Sequence, residues 1–499
     1  MWKNSFYNTV GGILKLILGL LSVPILTKTL GLEMYGLYIS TNAILNIALF
    51  AEWSIAATIT VFLSKEIRPI SSPAIAEVKY SVFTNAAIFA LFLAVTAGFI
   101  MGFNAEWIAQ LFENLTTKER LLLKNALQVS SVIVVSRLIH QFFLGILQAN
   151  SKYGLLNIIS TTYTIISVAT ALVLGALTGD IILIQIFQSV FAILMIGVYY
   201  RSCQRSGLFS IRYFTRPDLV QFKEFTAYGT RLWMLAIGTS FFSQGDRLII
   251  LRLFGTELSG IYSAITTLCN QINVISAMPV QPLLPLMSES YEKMAEGNAE
   301  KMRSFFIRSF TVIVCIIVPA GAGVIFFSTQ ISQILFSDRR IVDASTIRLS
   351  LIITAFAYAL YSFNAVGYFT LLGIKKEKFT TQIVLVSGFT ALSLIYYLST
   401  KFGIIGACLG NLGYSITLLL NYKASSKLNI PKYSLFKEES LVLMAGLLLS
   451  FICVIYDNLF ISIGLYMILL IITFLSLKKR LNISILSIDG KMNSIFKRF

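Results

Sequence analysis

Charge is what this sequence has least of. Asp, Glu, Lys and Arg make up 13% of its 499 residues, about half the share usual for a soluble globular chain, so water is not the main solvent of the fold. Histidine occurs once, at His140, and the five cysteines (Cys203, Cys269, Cys315, Cys408 and Cys453) are scattered without metal-ligand spacing. Neither a metal centre nor a disulfide framework is expected, and the cysteines read as small packing residues. The sequence also has no Asp-x-Asp pair, no Gly-rich phosphate loop and no connection of domain size between its apolar runs. The usual carriers of catalysis are therefore missing, and no cofactor is implied. No small-residue cleavage site follows the first apolar run, which reads as a retained span rather than a signal peptide.

Apolar residues, by contrast, supply 56% of the chain. They come in runs of the ~20 residues that a helix needs to cross a hydrocarbon core about 30 Å thick. The runs lack strand-like alternation, which leaves little room for a barrel. Spans are expected at 6–27, 37–62, 80–103, 125–148, 154–177, 180–200, 227–251, 259–286, 306–328, 346–371, 379–400, 402–422, 441–456 and 459–477. The fold class is an all-α integral membrane protein of about fourteen transmembrane helices. Connections after even-numbered spans, with both termini, hold about two thirds of the 40 Lys and Arg, roughly three times as many as the opposite set. Positive charge marks the cytoplasmic side, so both termini are expected there. The formal charge of +17 is explained by this topology and calls for no nucleic acid.

An internal repeat appears when the first and seventh spans are aligned at a constant offset of 224. TKTLGLEMYGLY (27–38) then falls on LRLFGTELSGIY (251–262), so that Gly31 meets Gly255, Gly36 meets Gly260 and Tyr38 meets Tyr262. At the same offset Lys152 meets Lys376 and Gly179 meets Gly403. Six spans per repeat is an even number, so both copies insert with the same orientation: two parallel six-helix lobes with a substrate path between them. The expected organisation is an N-terminal lobe at 1–200, a cytoplasmic connection at 201–224 and a C-terminal lobe at 225–424. Two further helices at 425–477 and a basic tail at 478–499 complete it. The basic, aromatic-flecked connection reads either as an amphipathic stretch on the membrane surface or as a bare linker. Pro279, Pro282 and Pro285 break the eighth span near its cytoplasmic end.

Charges within the spans are the informative exceptions, since each costs at least ~2.5 kcal/mol at the bilayer centre unless it faces a cavity or a partner. Lys15 lies in the first span, Glu52 in the second, Arg137 and His140 in the fourth, and Arg231, Asp246 and Arg247 along the seventh. Cations outnumber carboxylates four to two, a balance that suits an anion. Lys15, Arg137, Arg231 and Arg247 are the candidate substrate-binding residues, because Arg offers a phosphate bidentate hydrogen bonds and Lys a point charge. Each also has a structural reading: Arg231 could snorkel to the interface, and Asp246, pointing about 100° away from Arg247, could pair with another helix. Glu52, His140 and Asp246 are candidates for coupling to a proton or for charge pairing, with Glu52 bonding to Lys15 or Arg137. Arg137 and His140, three residues apart, share a helix face.

LSVPILTKTLGLEMYGLY (21–38), GDRLIILRLFGTELSGIYSA (245–264) and PLLPLMSES (282–290) resemble the polysaccharide-exporter family of the multidrug, oligosaccharidyl-lipid and polysaccharide superfamily, and within it the O-antigen flippases. The likeness covers at least the first twelve spans. It implies two six-helix lobes around a central cavity with two accessory C-terminal helices, in a bacterial inner membrane. It also implies alternating access, driven by a cation gradient, that moves an undecaprenyl-diphosphate-linked oligosaccharide from the cytoplasmic to the periplasmic face. The implied partners are that lipid-linked oligosaccharide, membrane lipids and other polysaccharide-assembly membrane proteins. Related flippases line the cavity with basic residues, to which Lys15, Arg137, Arg231 and Arg247 correspond in kind. The rival within the superfamily is a multidrug exporter, whose cationic substrates would favour acidic cavity residues; an enzyme of the same pathway would need the catalytic constellation that is missing. On this topology a cysteine placed at Ser206 or Gly490 will be shielded from a membrane-impermeant thiol reagent added outside intact cells. Labelling of either from outside would contradict it.

Overall fold

Backbone N–H and C=O groups in hydrocarbon have no water to bind, and a helix satisfies them within its own segment. A computed structural model of the chain describes residues 2–49, 52–65, 73–150, 152–210, 214, 216–281, 283–292, 296–336, 342–431 and 439–481, and every element among them is helical. They divide into two compact units, Met1–Ala264 and Ile265–Phe499.

The first unit contains α1 (Trp2–Ala48), α2 (Glu52–Lys65), α3 (Pro73–Phe103), the short α4 (Ala105–Gln110), α5 (Thr117–Ala149), α6 (Tyr153–Thr178) and α7 (Ile181–Arg205), with most of α8 (Leu219–Ala277). Its centre is α5, which packs on α2, α3 and α7. The reason lies in its buried set, where Leu123, Ala126, Leu127, Ser130, Ile133 and Val134 recur at helical spacing. On the opposite surface Phe92, Phe99 and Phe103 of α3 are exposed, as expected of a face solvated by lipid rather than water. The connection after α7 is fastened by Phe209, buried against Phe83, Phe142, Phe143 and Tyr200. That residue is docked on the first unit.

The second unit contains α9 (Leu283–Glu292), α10 (Glu296–Phe326), α11 (Ser328–Leu335), α12 (Ala344–Ser362), α13 (Asn364–Gly373), α14 (Glu377–Gly410), α15 (Leu419–Lys427), α16 (Glu439–Tyr456) and α17 (Leu459–Leu481). The proline-rich stretch after α8 forms a 3-10 turn, Met278–Val280, before α9, so the eighth expected span ends earlier than 286; Pro282 lies outside the described residues. The last two helices are held to α10 by Phe326, Ala322, Cys453 and Leu469. They are also pinned at both ends: Thr311 donates to Glu439 at 2.5 Å, and Asp457 binds Arg348 at 3.0 Å and Thr329 at 2.7 Å.

Eleven stretches of the described residues are long and apolar enough to cross a membrane, where the sequence predicts about fourteen. The difference has a local cause. Ile17–Ala48, Gln244–Val280 and Glu377–Lys427 each run through a non-helical glycine, at Gly31 (φ 76°, ψ 164°), Gly255 (φ 79°, ψ −168°) and Gly403 (φ 59°, ψ −138°). A single residue replaces the expected loop there, so the flanking helices join into one run. Gly31 and Gly255 are repeat equivalents and occupy the same backbone region, one open essentially to glycine alone.

The other offset pairs are alike only in part. Gly179 and Gly403 share a positive φ, 64° and 59°, but Gly179 has ψ 9° and ends a helix in the left-handed region, whereas Gly403 has ψ −138°. The Lys152 N–H bonds Leu147 O at 2.9 Å, and the Lys376 N–H bonds Leu371 O at 2.8 Å.

Gly36 and Gly260 have a different duty, because α1 and α8 cross there in backbone contact. A Cβ on Gly36 would lie 1.9 Å from the Thr256 carbonyl oxygen, and one on Gly260 would lie 2.6 Å from that of Leu32. We predict that Gly36→Ala costs on the order of 2 kcal/mol as overpacking, read as a lowered Tm in detergent. Gly464→Ala, whose Cβ meets nothing within 4 Å, will leave Tm unchanged. Equal Tm for the two variants would contradict the crossing.

Candidate functional site

Turning a polar side chain into lipid is costly, so neutral polar residues in a spanning helix face one another or a hydrated space. Three helices of the first unit do this at regular spacing: Tyr38, Asn42 and Asn46 on α1, Arg137, His140 and Gln141 on α5, and Ser160, Tyr163, Thr164 and Ser167 on α6. With Gln188 and Tyr199 of α7 they line a cavity of about 470 Å3, within the range of small-molecule sites.

The walls are tied together by side-chain contacts among the lining residues. Gln188 Nε2 donates to Tyr38 Oη and to Ser167 O, both at 3.2 Å, and so ties α7 to α1 and α6. The His140 ring stacks on Tyr199 at 5.1 Å with 13° between planes, the offset geometry that aromatic pairs favour. Asn42 Nδ2 bonds Tyr38 O, and the Thr164 hydroxyl bonds Ser160 O, each at 3.0 Å. These bonds back to the parent helix spend one hydrogen-bonding valence and leave others for a guest.

Arg137 is the fixed charge in this lining, and no described lining residue is acidic. Its described amides, hydroxyls and guanidinium suit hydroxyl-rich and anionic groups.

The candidates from the sequence separate accordingly. Arg137 and His140 come together in the chamber, as their shared helix face predicts. Arg247 and Asp246 are not among its lining residues. Arg247 Nη1 reaches Gln244 Oε1 at 3.3 Å, one turn back. Buried Asp246 accepts from Tyr262 Oη at 3.1 Å and from the Arg247 N–H at 2.8 Å. Its bond to Tyr262 crosses the Gly255 break within α8 itself. The side chains of Lys15, Glu52 and Arg231, on α1, α2 and α8, lie outside the described residues. The neutral lining was missed because the search followed charge, yet the stripes 38, 42, 46 and 160, 163, 164, 167 carry a readable helical period.

The family model described as polysaccharide biosynthesis protein matches residues 1–291, more than half of the chain. This chain belongs to that family. A relative in Shigella flexneri, provisionally named an O-antigen transporter, is 22% identical over 425 residues, covering 84% of this chain and 95% of that protein. Among solved structures, the lipid II flippase MurJ in an inward closed conformation superposes with a TM-score of 0.74 at 16% identity, covering 95% of this chain and 99% of that one. An inward-facing multidrug resistance MATE transporter of the MOP superfamily gives 0.61 at 16% identity, covering 84% and 99%. At such identities the fold is what is shared, and it is the helical fold expected from the sequence. Within this family member, Gln188→Leu will cost about 1–2 kcal/mol by removing a donor shared between two helices. Tyr38→Phe will cost less, because Gln188 keeps Ser167. Both are read by thermal unfolding, and a Gln188→Leu protein as stable as the parent would show that these bonds do not fix the walls.

Proposed function

We propose that this protein is a flippase that carries an undecaprenyl-diphosphate-linked oligosaccharide, an O-antigen or a related repeat unit, from the cytoplasmic to the periplasmic leaflet of a bacterial inner membrane. The observation that carries the reading is the polar chamber with Arg137 in its wall and no acidic residue among its described lining. Its amides, hydroxyls and tyrosines match sugar hydroxyls, and its charge matches an anionic head. Family membership and the name of the Shigella flexneri relative support the same substrate class. A multidrug exporter shares the fold, but its cationic substrates would be opposed by this lining.

In this reading the chain has fourteen spans, since three of the eleven helical stretches divide at a glycine, and both termini are cytoplasmic. Repeat-related lobes at 1–200 and 225–424 alternate access, and 425–477 is accessory. Arg137, with Lys15, Arg231 and Arg247, draws the diphosphate, while the polyprenyl tail stays in lipid. Glu52, His140 and Asp246 are the groups available to couple transport to a cation gradient.

Deleting the gene should cause untranslocated lipid-linked oligosaccharide to accumulate. Complementation with Arg137→Gln should restore glycan export at least about tenfold less well than the parent, the loss expected for one charge-assisted bond in a dry site. Arg137→Lys should fall between the two. Full export by Arg137→Gln at equal membrane abundance would refute the binding role. Normal export in the deletion strain would refute the function.

A further inference from the structure

On the side where α1 breaks at Gly31 and α8 at Gly255, one carboxylate joins two elements far apart in sequence. Glu119 stands at the third position of α5 and closes a capping box with Thr116. Its Oε2 accepts the Thr116 N–H and hydroxyl, both at 2.7 Å, and its own N–H bonds Thr116 Oγ1 at 3.2 Å. The cap needs only one carboxylate oxygen. The other, Oε1, accepts a hydrogen bond from the Thr256 hydroxyl, and both residues are buried, at 6% and 4% exposure.

Thr256 follows the break in α8 directly. Its carbonyl faces Gly36 at the α1 crossing, so one residue connects the α5 cap to the contact between α1 and α8. Beside it Asn114 Nδ2 donates to Arg252 O at 2.7 Å and Leu253 O at 2.9 Å, carbonyls of the last turn before the break, which the helix leaves without partners of its own. Arg120 holds this connection in shape through Glu113 O at 2.7 Å.

The bond has no counterpart at the other break. The position equivalent to Thr256 is Leu32, which has no hydroxyl, although α1 breaks at Gly31 with the same backbone geometry. A buried hydroxyl-to-carboxylate bond is present at one break and absent from the other.

We propose that Glu119, fixed by Thr116, is a latch that keeps the periplasmic end of the path shut by holding Thr256 at the α8 break, and that outward opening requires this bond to part. The proposal rests on the flippase reading for what passes through the path, but not for the motion itself.

The test reads the motion alone. Ser259, fully buried beside Ser40 at 3.4 Å, marks the shut crossing. In cells carrying the full chain with Ser259→Cys, labelling by a membrane-impermeant maleimide from outside is measured against the same chain without the new cysteine. Labelling should be slow with Glu119 and Thr256 intact. It should quicken on the order of tenfold in Thr256→Val, the shift expected when a bond to a charged group is lost from one of two states. Thr256→Ser, which keeps the hydroxyl, should behave as the parent. Glu119→Gln, which keeps the cap, should fall between them. Equal labelling rates in Thr256→Val and the parent, whether slow or fast, would overturn the latch. Quickened labelling with unaltered glycan export in a deletion strain would leave the latch standing and remove the flippase.

Discussion

A hydrogen-bonding group in hydrocarbon has to find its partner inside the protein, and each feature of this structure follows from that constraint. The backbone meets it with helices, the one kind of regular element among the described residues. Side chains meet it by turning inward, where they either pair across a helix contact, as Glu439 does with Thr311, or gather around a hydrated space, as the lining of the α1, α5, α6 and α7 chamber does.

The same constraint explains why a few polar contacts matter more here than in a soluble protein. Hydrophobic burial provides little drive between helices already solvated by lipid tails, so close backbone approach and interhelical hydrogen bonds carry the packing. The α1 and α8 crossing shows both devices within one turn: Gly36 and Gly260 let the backbones touch, and Thr256 ties the contact to α5. Where the backbone itself must stop being helical, the protein uses glycine in a region closed to other residues, and Asn114 supplies the partners that the α8 break exposes.

Much of this was legible in the sequence. Apolar runs of spanning length mark the helices because the hydrocarbon core sets one length for all of them. The repeat offset marks the breaks because only glycine tolerates the backbone at Gly31 and Gly255. The tightness of three connections was less legible, since a single glycine does there what a loop was expected to do. The site was half legible. Arg137 and His140 stand out as charged or titratable residues in an apolar run, and they do line the chamber. Arg247 stands out equally, yet it is not among the chamber's lining residues. Asn42, Asn46, Gln141 and Gln188 were invisible to a search for charge, although a neutral amide in a membrane span also has to be satisfied. Thr256 and Glu119 could not have been paired from sequence at all, because nothing in the pattern relates residues 137 apart.

In the proposed function the chamber takes an anionic, sugar-bearing head and excludes organic cations. Thermal unfolding of the purified protein with added ligand tests it most directly, because a ligand that binds only the folded state raises Tm with its concentration. A polyprenyl-diphosphate-linked oligosaccharide should raise Tm, Arg137→Gln should abolish most of the rise, and tetraphenylphosphonium should raise Tm in neither protein. A rise produced by tetraphenylphosphonium, or one by the lipid-linked glycan that survives Arg137→Gln unchanged, would contradict it.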